Sequence, residues 1–539
     1  MDSTKHARQE QQDSSHIEQT SEESIERAHH LISRESSESE SGIHRLPFEI
    51  LAYIFEFYVE FTNVWFYKPV KGPFLLGAVC RTWRHIAWMN PSLWTSLIFI
   101  LDEKTTEVKV DLAIEWLGRS GNLPFSATLT GFNGREEEIL RLIDAINESL
   151  SRCRHLALQF FTSLTFSRFS QIREASVLQS LIIDTSEQLD SQLDFGPLAA
   201  PHNLEISNIP WDFLVMNWTN LTDFRGTNLF VKDILEILTL AAQMTSCHVH
   251  DVRNPFVIPR HHDRKVVHSQ LKYLNLRFQF SDHSLVDIAM ITFFQNVTFP
   301  NLTTCKTGTY HEFPTTHFLD FVARSSCSIT HLRLTEYYIS SDDLIQIAQA
   351  LPSITHLDLS YTYYNPDTQP PLTAFYEAFC RDSRYHTILP GDIVLFPMLQ
   401  RLDIRTPCPF PWAWLPGFRS QYRQDGDTYT IAPGRPNLES FIIACRVYEA
   451  DSTVVDDDLK CDEDGKPEYF PTGLIGSWET FSELMEMSKN VKLVLKVTQA
   501  DSSDVDLFKL SYRKLEKTDG RTPKNIRESE SAASWTTQF

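Results

Sequence analysis

Two short stretches gather the residue types that bind transition metals: Cys247-His248-Val249-His250-Asp251, and His261-His262-Asp263 with His268 close behind. Thiolate, imidazole and carboxylate are the usual zinc donors. The spacing argues against a shared ion. In an extended strand successive side chains alternate faces, so Cys247 and Val249 point one way and His248 and His250 the other. A third candidate is the acidic run at 449–468, with nine carboxylates against two lysines. A calcium-loop frame with Gly465 at the sixth position puts Lys460 first and Pro471 last, where carboxylates are required. An exposed acidic loop is expected there, and no metal or other cofactor.

Catalytic motifs are missing as well. The chain holds no GxSxG elbow, Walker phosphate loop, HExxH or GxGxxG after a strand, so no catalytic residue is assigned and the chain is expected not to be an enzyme. Dispersed Ser, His and Asp can still converge in space, and an unrecognised enzyme stays open as a second alternative. The net charge of -21 repels phosphate backbones and anionic lipid, which argues against nucleic-acid and membrane partners. Nine cysteines at wide spacing, without a CxxC pair, fit reduced thiols in the cytoplasm or nucleus. The first residues lack an apolar signal core, and no run approaches the length of a membrane span.

The elements that would position any site come from two periodicities. The first is a recurring LxxLxL frame: Cys153-Leu156-Leu158, Leu178-Leu181-Ile183, Met244-Cys247-Val249, Leu271-Leu274-Leu276, Ile329-Leu332-Leu334, Ile354-Leu357-Leu359, Leu399-Leu402-Ile404 and Leu438-Phe441-Ile443. Weaker frames fit between them at Leu204-Ile206, Leu221-Phe224 and Leu302-Cys305, and Trp94-Leu97-Phe99 with the following "PFSATL" is placed to begin the series. Middle positions recur 20 to 31 residues apart from Leu156 to Leu357, close to the ~20 to 29 of leucine-rich repeats. Helical patterns lie between, as in Ser341 to Leu351, where Asp342 or Asp343 is the expected cap and Pro352 the stop. Each strand–turn–helix unit buries its apolar face only by stacking on the next. At the turn position where regular repeats carry Asn, this chain has Tyr337 and Thr362. Residues alternating outward from the frames are His155, Ala157, Glu205, Arg225, His248, Asn275, Lys306, Arg333, Asp358 and Asp403. Of these His248, Asn275, Arg333, Asp358 and Asp403, with Trp412 and Trp414 from an aromatic, proline-rich insertion, are the candidates to touch a protein partner. The insertions around 360–390 and 407–418 serve equally as caps of the array.

The second periodicity is helical. Pro47 suits a first helical position and Glu49 its positive end. Ile50, Leu51, Ile54, Phe55 and Tyr58 then form an apolar stripe, with Glu56 and Glu60 on the wet side. Leu75, Leu76, Val79, Cys80, Trp83, Ile86 and Ala87 repeat the spacing after a Pro- and Gly-containing break, with Arg81, Arg84 and His85 off the stripe. So short a piece of chain carries more apolar surface than it can bury alone, which reads as a docking signal; packing on the following domain is the alternative.

The string Leu46-Pro47-Phe48-Glu49-Ile50-Leu51, then Ile54-Phe55, Val79-Cys80-Arg81-Thr82-Trp83-Arg84 and Pro91-Ser92-Leu93-Trp94, resembles the F-box, especially as found in proteins of mushroom-forming fungi. Leu46 and Trp83 stand farther apart than is commonest in that family, the excess lying between Asn63 and Phe74, an insertion that fungal relatives often carry. The resemblance implies a small helical module that binds a Skp-type adaptor, and through it a cullin and a RING subunit. It places Leu46, Pro47, Ile50, Leu51, Ile54, Phe55, Val79, Cys80 and Trp83 against the adaptor. Degenerate leucine-rich repeats commonly follow such F-boxes.

The expected fold class is therefore α/β: a disordered acidic, Ser-rich tail (1–42), an all-helical F-box-like module (43–95), an irregular leucine-rich-repeat-like α/β solenoid with a parallel sheet (96–515, including the loop 449–468) and a disordered tail (516–539). The implied function is substrate recruitment to an SCF ubiquitin ligase for ubiquitin-dependent degradation of an unknown protein. The first alternative is a repeat scaffold without a ligase role.

Overall fold

A computed structural model describes residues 46–65, 72–103, 105–131, 136–161, 177–185, 192–253, 265–278, 283–309, 311–335, 339–360, 372–379, 395–406, 412, 422–425, 428–431, 439–446, 475, 477–488, 492–498, 504–509, 511, 512 and 515. Tyr337, Thr362, Trp414, His261, His262 and the run 449–468 lie outside them. The chain divides into two compact units, Met1–Ile100 with Thr106–Ala127, and Leu101–Thr105 with Thr128–Phe539.

The first unit opens with α1 (Phe48–Trp65), α2 (Gly72–Val79) and α3 (Arg81–Met89), followed by a short 3-10 turn, Pro91–Trp94. Helix α1 starts one residue after Pro47, whose carbonyl accepts from the Ile50 and Leu51 N–H groups at 3.1 Å each. The stripe expected to run as one helix through Cys80 is broken there. Cys80 is extended and caps α3, its Sγ accepting from the Trp83 N–H at 3.4 Å, because a thiol can satisfy one of the N–H groups a helix start leaves unpaired. The core is aromatic. Trp94, fully buried, donates from Nε1 to the Ala87 carbonyl at 2.8 Å and meets Phe74, Trp88 and Trp116 edge-on, with centroids 5.1 to 5.4 Å away. Trp116 comes from α4 (Glu107–Arg119), whose Arg119 guanidinium lies 4.7 Å from the Trp88 centroid and 5.0 Å from that of Trp94. Helix α2 reaches this cluster through Gly77: a Cβ there would overlap the edge of the Trp88 ring. Strand β1 (Ser96–Leu101) follows the turn, and β2 (Phe125–Gly131) begins where the Ser126 N–H donates to the Thr95 carbonyl at 2.8 Å.

The second unit starts with α5 (Glu136–Glu148) and is built on a large, mainly parallel sheet: β3 (Cys153–Phe161), β4 (Ser180–Thr185), β5 (Asn203–Ser207), β6 (Asp223–Thr227), β7 (Ser246–Val252), β8 (Tyr273–Phe278), β9 (Thr304–Gly308), β10 (His331–Thr335), β11 (His356–Ser360), β12 (Arg401–Thr406), β13 (Ser440–Arg446), β14 (Lys492–Thr498) and β15 (Asp504–Asp506). These strands lie in chain order, each parallel to the last except β15, which runs antiparallel to β14. The expected frames set the register. Leu156 stands beside Leu181, then Leu204, Phe224, Cys247, Leu274, Cys305, Leu332, Leu357, Leu402, Phe441 and Leu493. A slip of one residue would turn this apolar row into water, which is why the register holds over so many strands. Strand β14 was not among the expected frames.

Helices fill several crossovers: α6 (Val231–Leu240), α7 (His283–Asn296), α8 (Thr315–Ser325), α9 (Ser341–Ala350), α10 (Thr373–Phe379) and α11 (Trp478–Ser488). The cap of α9 is Ser340, not Asp342 or Asp343. Its Oγ accepts from the Asp343 N–H at 3.1 Å while the Asp343 carboxylate reaches back to the Ser340 N–H at 3.3 Å. A serine three places before Asp343 lets both partners reach, giving a reciprocal capping box. Leu344, Ile347 and Ala348 are buried from the same helix. Among the described residues no helix is long and apolar enough to cross a membrane.

Candidate docking surfaces

Helix α1 is apolar on two sides, and only one side is used within its unit. Leu51, Phe55 and Val59, one turn apart, point inward, and Phe55 lies 4.8 Å from the Trp83 ring. Ile50 and Ile54 remain 47% and 40% exposed, with Tyr53, Phe57 and Tyr58 alongside them. Val79, at the end of α2, is 60% exposed, and Leu46, Pro47 and Phe48 are open at the start of α1.

The nine residues expected against an adaptor therefore part into three groups. Leu46, Pro47, Ile50, Ile54 and Val79 are exposed, whereas Leu51 and Phe55 are enclosed by the unit's own packing, because a helix backed by a tryptophan-rich cluster must give that cluster one of its stripes. Trp83 is half-buried against Phe55, and Cys80 is half-buried as a cap. Glu56 is not on the wet side. Its Oε1 accepts from Asn90 Nδ2 at 3.0 Å and from the Ser92 hydroxyl, tying α1 to the turn before β1. These partners are more than thirty residues away in sequence, beyond the reach of a helical-wheel argument. The side chain of Glu60 lies outside the described residues. Covering the exposed side of α1 would stabilise a complex by about 1 kcal/mol for each of its large side chains.

The second surface is the outward face of the sheet. Its middle row runs Ala157, Ile182, Glu205, Arg225, His248, Asn275, Lys306, Arg333, Asp358, Asp403, Ile442, Val494. Of the candidate partner-contacting residues, His248, Asn275, Arg333 and Asp358 lie half-buried on this face. Asp403 and Trp412 do not qualify: they are only 4% and 5% exposed. Asp403 lies low between neighbouring strands and is held by Arg405 at 3.5 Å.

Charge on the face is divided by strand order. Across β4 to β7 it carries Asp184, Glu205 and Asp223 against Arg225. Across β8 to β12 it carries Arg277, Lys306, Arg333, Arg401 and Arg405 against Asp358 and Asp403. His248 stacks on Tyr273 at 4.5 Å, Lys306 Nζ lies 5.1 Å from the Tyr273 centroid, and His331 stacks on His356 at 4.1 Å with the rings 14° from parallel. Thr330 and Thr355 hydroxyls lie 2.9 Å from the Nδ1 atoms of His331 and His356.

Burial, then neighbouring cations, holds His331 and His356 below the usual imidazole value: His356 and Lys306 act on the first, Arg401 on the second, with Glu439 opposing there. Burial, then Asp403, raises Asp358, with Arg333, Arg405 and Lys306 pulling it back. His331, His356, Tyr273 and Arg401 were missed by the sequence argument. The signal was present in the paired strings Ile329-Thr330-His331-Leu332 and Ile354-Thr355-His356-Leu357, two places ahead of the row considered.

Cys247 and Val249 are fully buried while His248 and His250 face out. Burial pushes the Cys247 thiol up to about 12, so it is protonated at neutral pH. His268 is buried with its Nε2 2.9 Å from the Ala241 carbonyl. No family model and no curated protein matches the sequence.

Proposed function

We propose that this protein is the substrate-recognition subunit of an SCF-type ubiquitin ligase. Its N-terminal helices act as an F-box that docks a Skp-type adaptor, and its parallel sheet acts as a leucine-rich-repeat-like receptor for a protein substrate. The observation that carries the proposal is the double apolar character of α1. Leu51, Phe55 and Val59 complete the unit's core, yet Ile50, Ile54 and their aromatic neighbours stay exposed, and exposed apolar patches rimmed by polar residues mark interaction sites. The resemblance of the same residues to the F-box names the partner. The repeat reading is supported by the in-register apolar ladder and by Asn208, Asn228 and Asp251. Each stands four residues after its middle frame position in the left-handed region, with φ of 62°, 63° and 56°, a conformation Asn and Asp tolerate best among side-chain-bearing residues.

In this role the chain performs no chemistry. It holds an adaptor on one surface and a substrate on another, so that ubiquitin transfer by other subunits becomes effectively intramolecular. Capture of a Skp-type adaptor by the tagged full chain tests the proposal. Leu46→Ala, Ile50→Ala and Val79→Ala together should abolish retention without changing the circular dichroism spectrum; Trp83 is left intact because it braces Phe55. Equal retention by wild type and variant ends the docking proposal.

A further inference from the structure

The β8 to β12 half of the outward face carries five cations against two carboxylates in a chain whose net charge is -21. Both carboxylates are already matched: Arg333 Nε lies 3.2 Å from Asp358, and Arg405 Nε 3.5 Å from the nearly buried Asp403. Among the described residues neither Lys306 nor Arg401 makes an ion pair. Lys306 instead sits over the Tyr273 ring, a contact that leaves ammonium N–H groups available. The stacked His331 and His356 rings are held at Nδ1 by threonine hydroxyls, which leaves each Nε2 for a ligand. Parallel strands present these groups in steps of about 4.8 Å, so five strands span the length of about six extended residues.

The geometry points to a binding site for an extended, Asp- and Glu-rich polypeptide segment laid across β8 to β12, its carboxylates meeting Lys306, Arg333, Arg401 and the His331–His356 pair. This deepens the receptor proposal by naming its substrate class and rests on that proposal only for its cellular setting, since binding is measured with the adaptor absent. Carboxylate is favoured over a nucleic-acid backbone because the opposite half of the same face is acidic and would repel a long polyanion, whereas a short peptide fits the basic half alone.

The test is fluorescence anisotropy of the purified full chain with a labelled peptide alternating glutamate and glycine, against glutamine and lysine counterparts. The glutamate peptide should bind about tenfold tighter than the glutamine one at low salt. Lys306→Glu should weaken it about tenfold, while Arg225→Glu, the same charge reversal on the acidic half, should change it by no more than about twofold. An anion beside the histidines favours their protonation, adding to Glu439 at His356 and opposing burial, Lys306 and Arg401, so affinity should rise about threefold from pH 7 to pH 5 in wild type and stay flat in His331→Gln/His356→Gln. Unchanged thermal melts verify that each variant is folded. Equal binding of the glutamate and glutamine peptides, equal loss in Lys306→Glu and Arg225→Glu, or tighter binding of a single-stranded oligonucleotide of the same charge would each overturn the inference. Loss of peptide binding with adaptor capture intact removes this inference alone; peptide binding without adaptor capture removes the ligase proposal and leaves an acidic-segment receptor.

Discussion

The exposed side of α1 and the outward face of β8 to β12 are opposite kinds of surface. The first is apolar, sits on a single helix and is braced from behind by Phe55 and the tryptophan cluster. The second is polar, is assembled from strands far apart in sequence, and has its cations placed by a ladder of buried leucines. The contrast teaches that each surface borrows its rigidity from a core that must not be disturbed when the surface is tested. It also predicts opposite responses to solution conditions. Association through α1 should be nearly indifferent to salt, whereas association through the strand face should weaken steeply as screening grows.

The largest effect that would sharpen this contrast lies behind α1. Trp94→Ala should destabilise the first unit by about 3 to 5 kcal/mol, as removal of a fully buried aromatic does, and denaturant unfolding would show a separate early transition. Gly77→Ala should cost about 1 to 3 kcal/mol, because its methyl group meets the Trp88 ring with little room to yield. Ile54→Ala, on the exposed side of the same helix, should cost less than about 1 kcal/mol. A loss as large as that of Trp94→Ala would break the division of α1 into a structural side and a spare one.

A smaller effect belongs to the second unit. Burial raises the Asp233 carboxyl to about 6, against Lys232 and the Phe230 N–H, which lower it. A raised carboxyl contributes fully below its unfolded value near 3.8 and loses that contribution as pH rises through about 6. Asp233→Asn keeps an acceptor for the Phe230 N–H and should therefore be more stable than wild type at pH 8 by about 2 kcal/mol relative to the difference at pH 4, measured by urea unfolding at both. A pH-independent difference would show that the carboxyl is already solvated.

Much of the strand framework was legible because a buried face forces one period on every strand and stacking forces one spacing on every unit. Leu181, Leu274, Leu332 and Leu357 could be placed from sequence for that reason. Strand β14 escaped because it follows a long stretch without a frame, although Leu493 and Leu495 alternate correctly. In α1 an apolar stripe was evident, but a helix apolar on two sides does not announce which side its own unit will take, so Leu51 and Phe55 were grouped with Ile50 and Ile54. The break at Cys80 was hidden because the apolar spacing carries across it. Asp403 was placed on the outer row correctly by alternation; its burial depends on neighbours that alternation does not describe.

The buried row itself contains thiols. Cys247 and Cys305 occupy leucine positions in β7 and β9, wholly enclosed, with burial pushing each to about 12. A protonated, inaccessible sulfur reacts with an alkylating reagent only while its strand is open. The sheet thus carries two native clocks near its middle, and their labelling rates, read with and without a bound segment, measure how firmly each ligand closes the array.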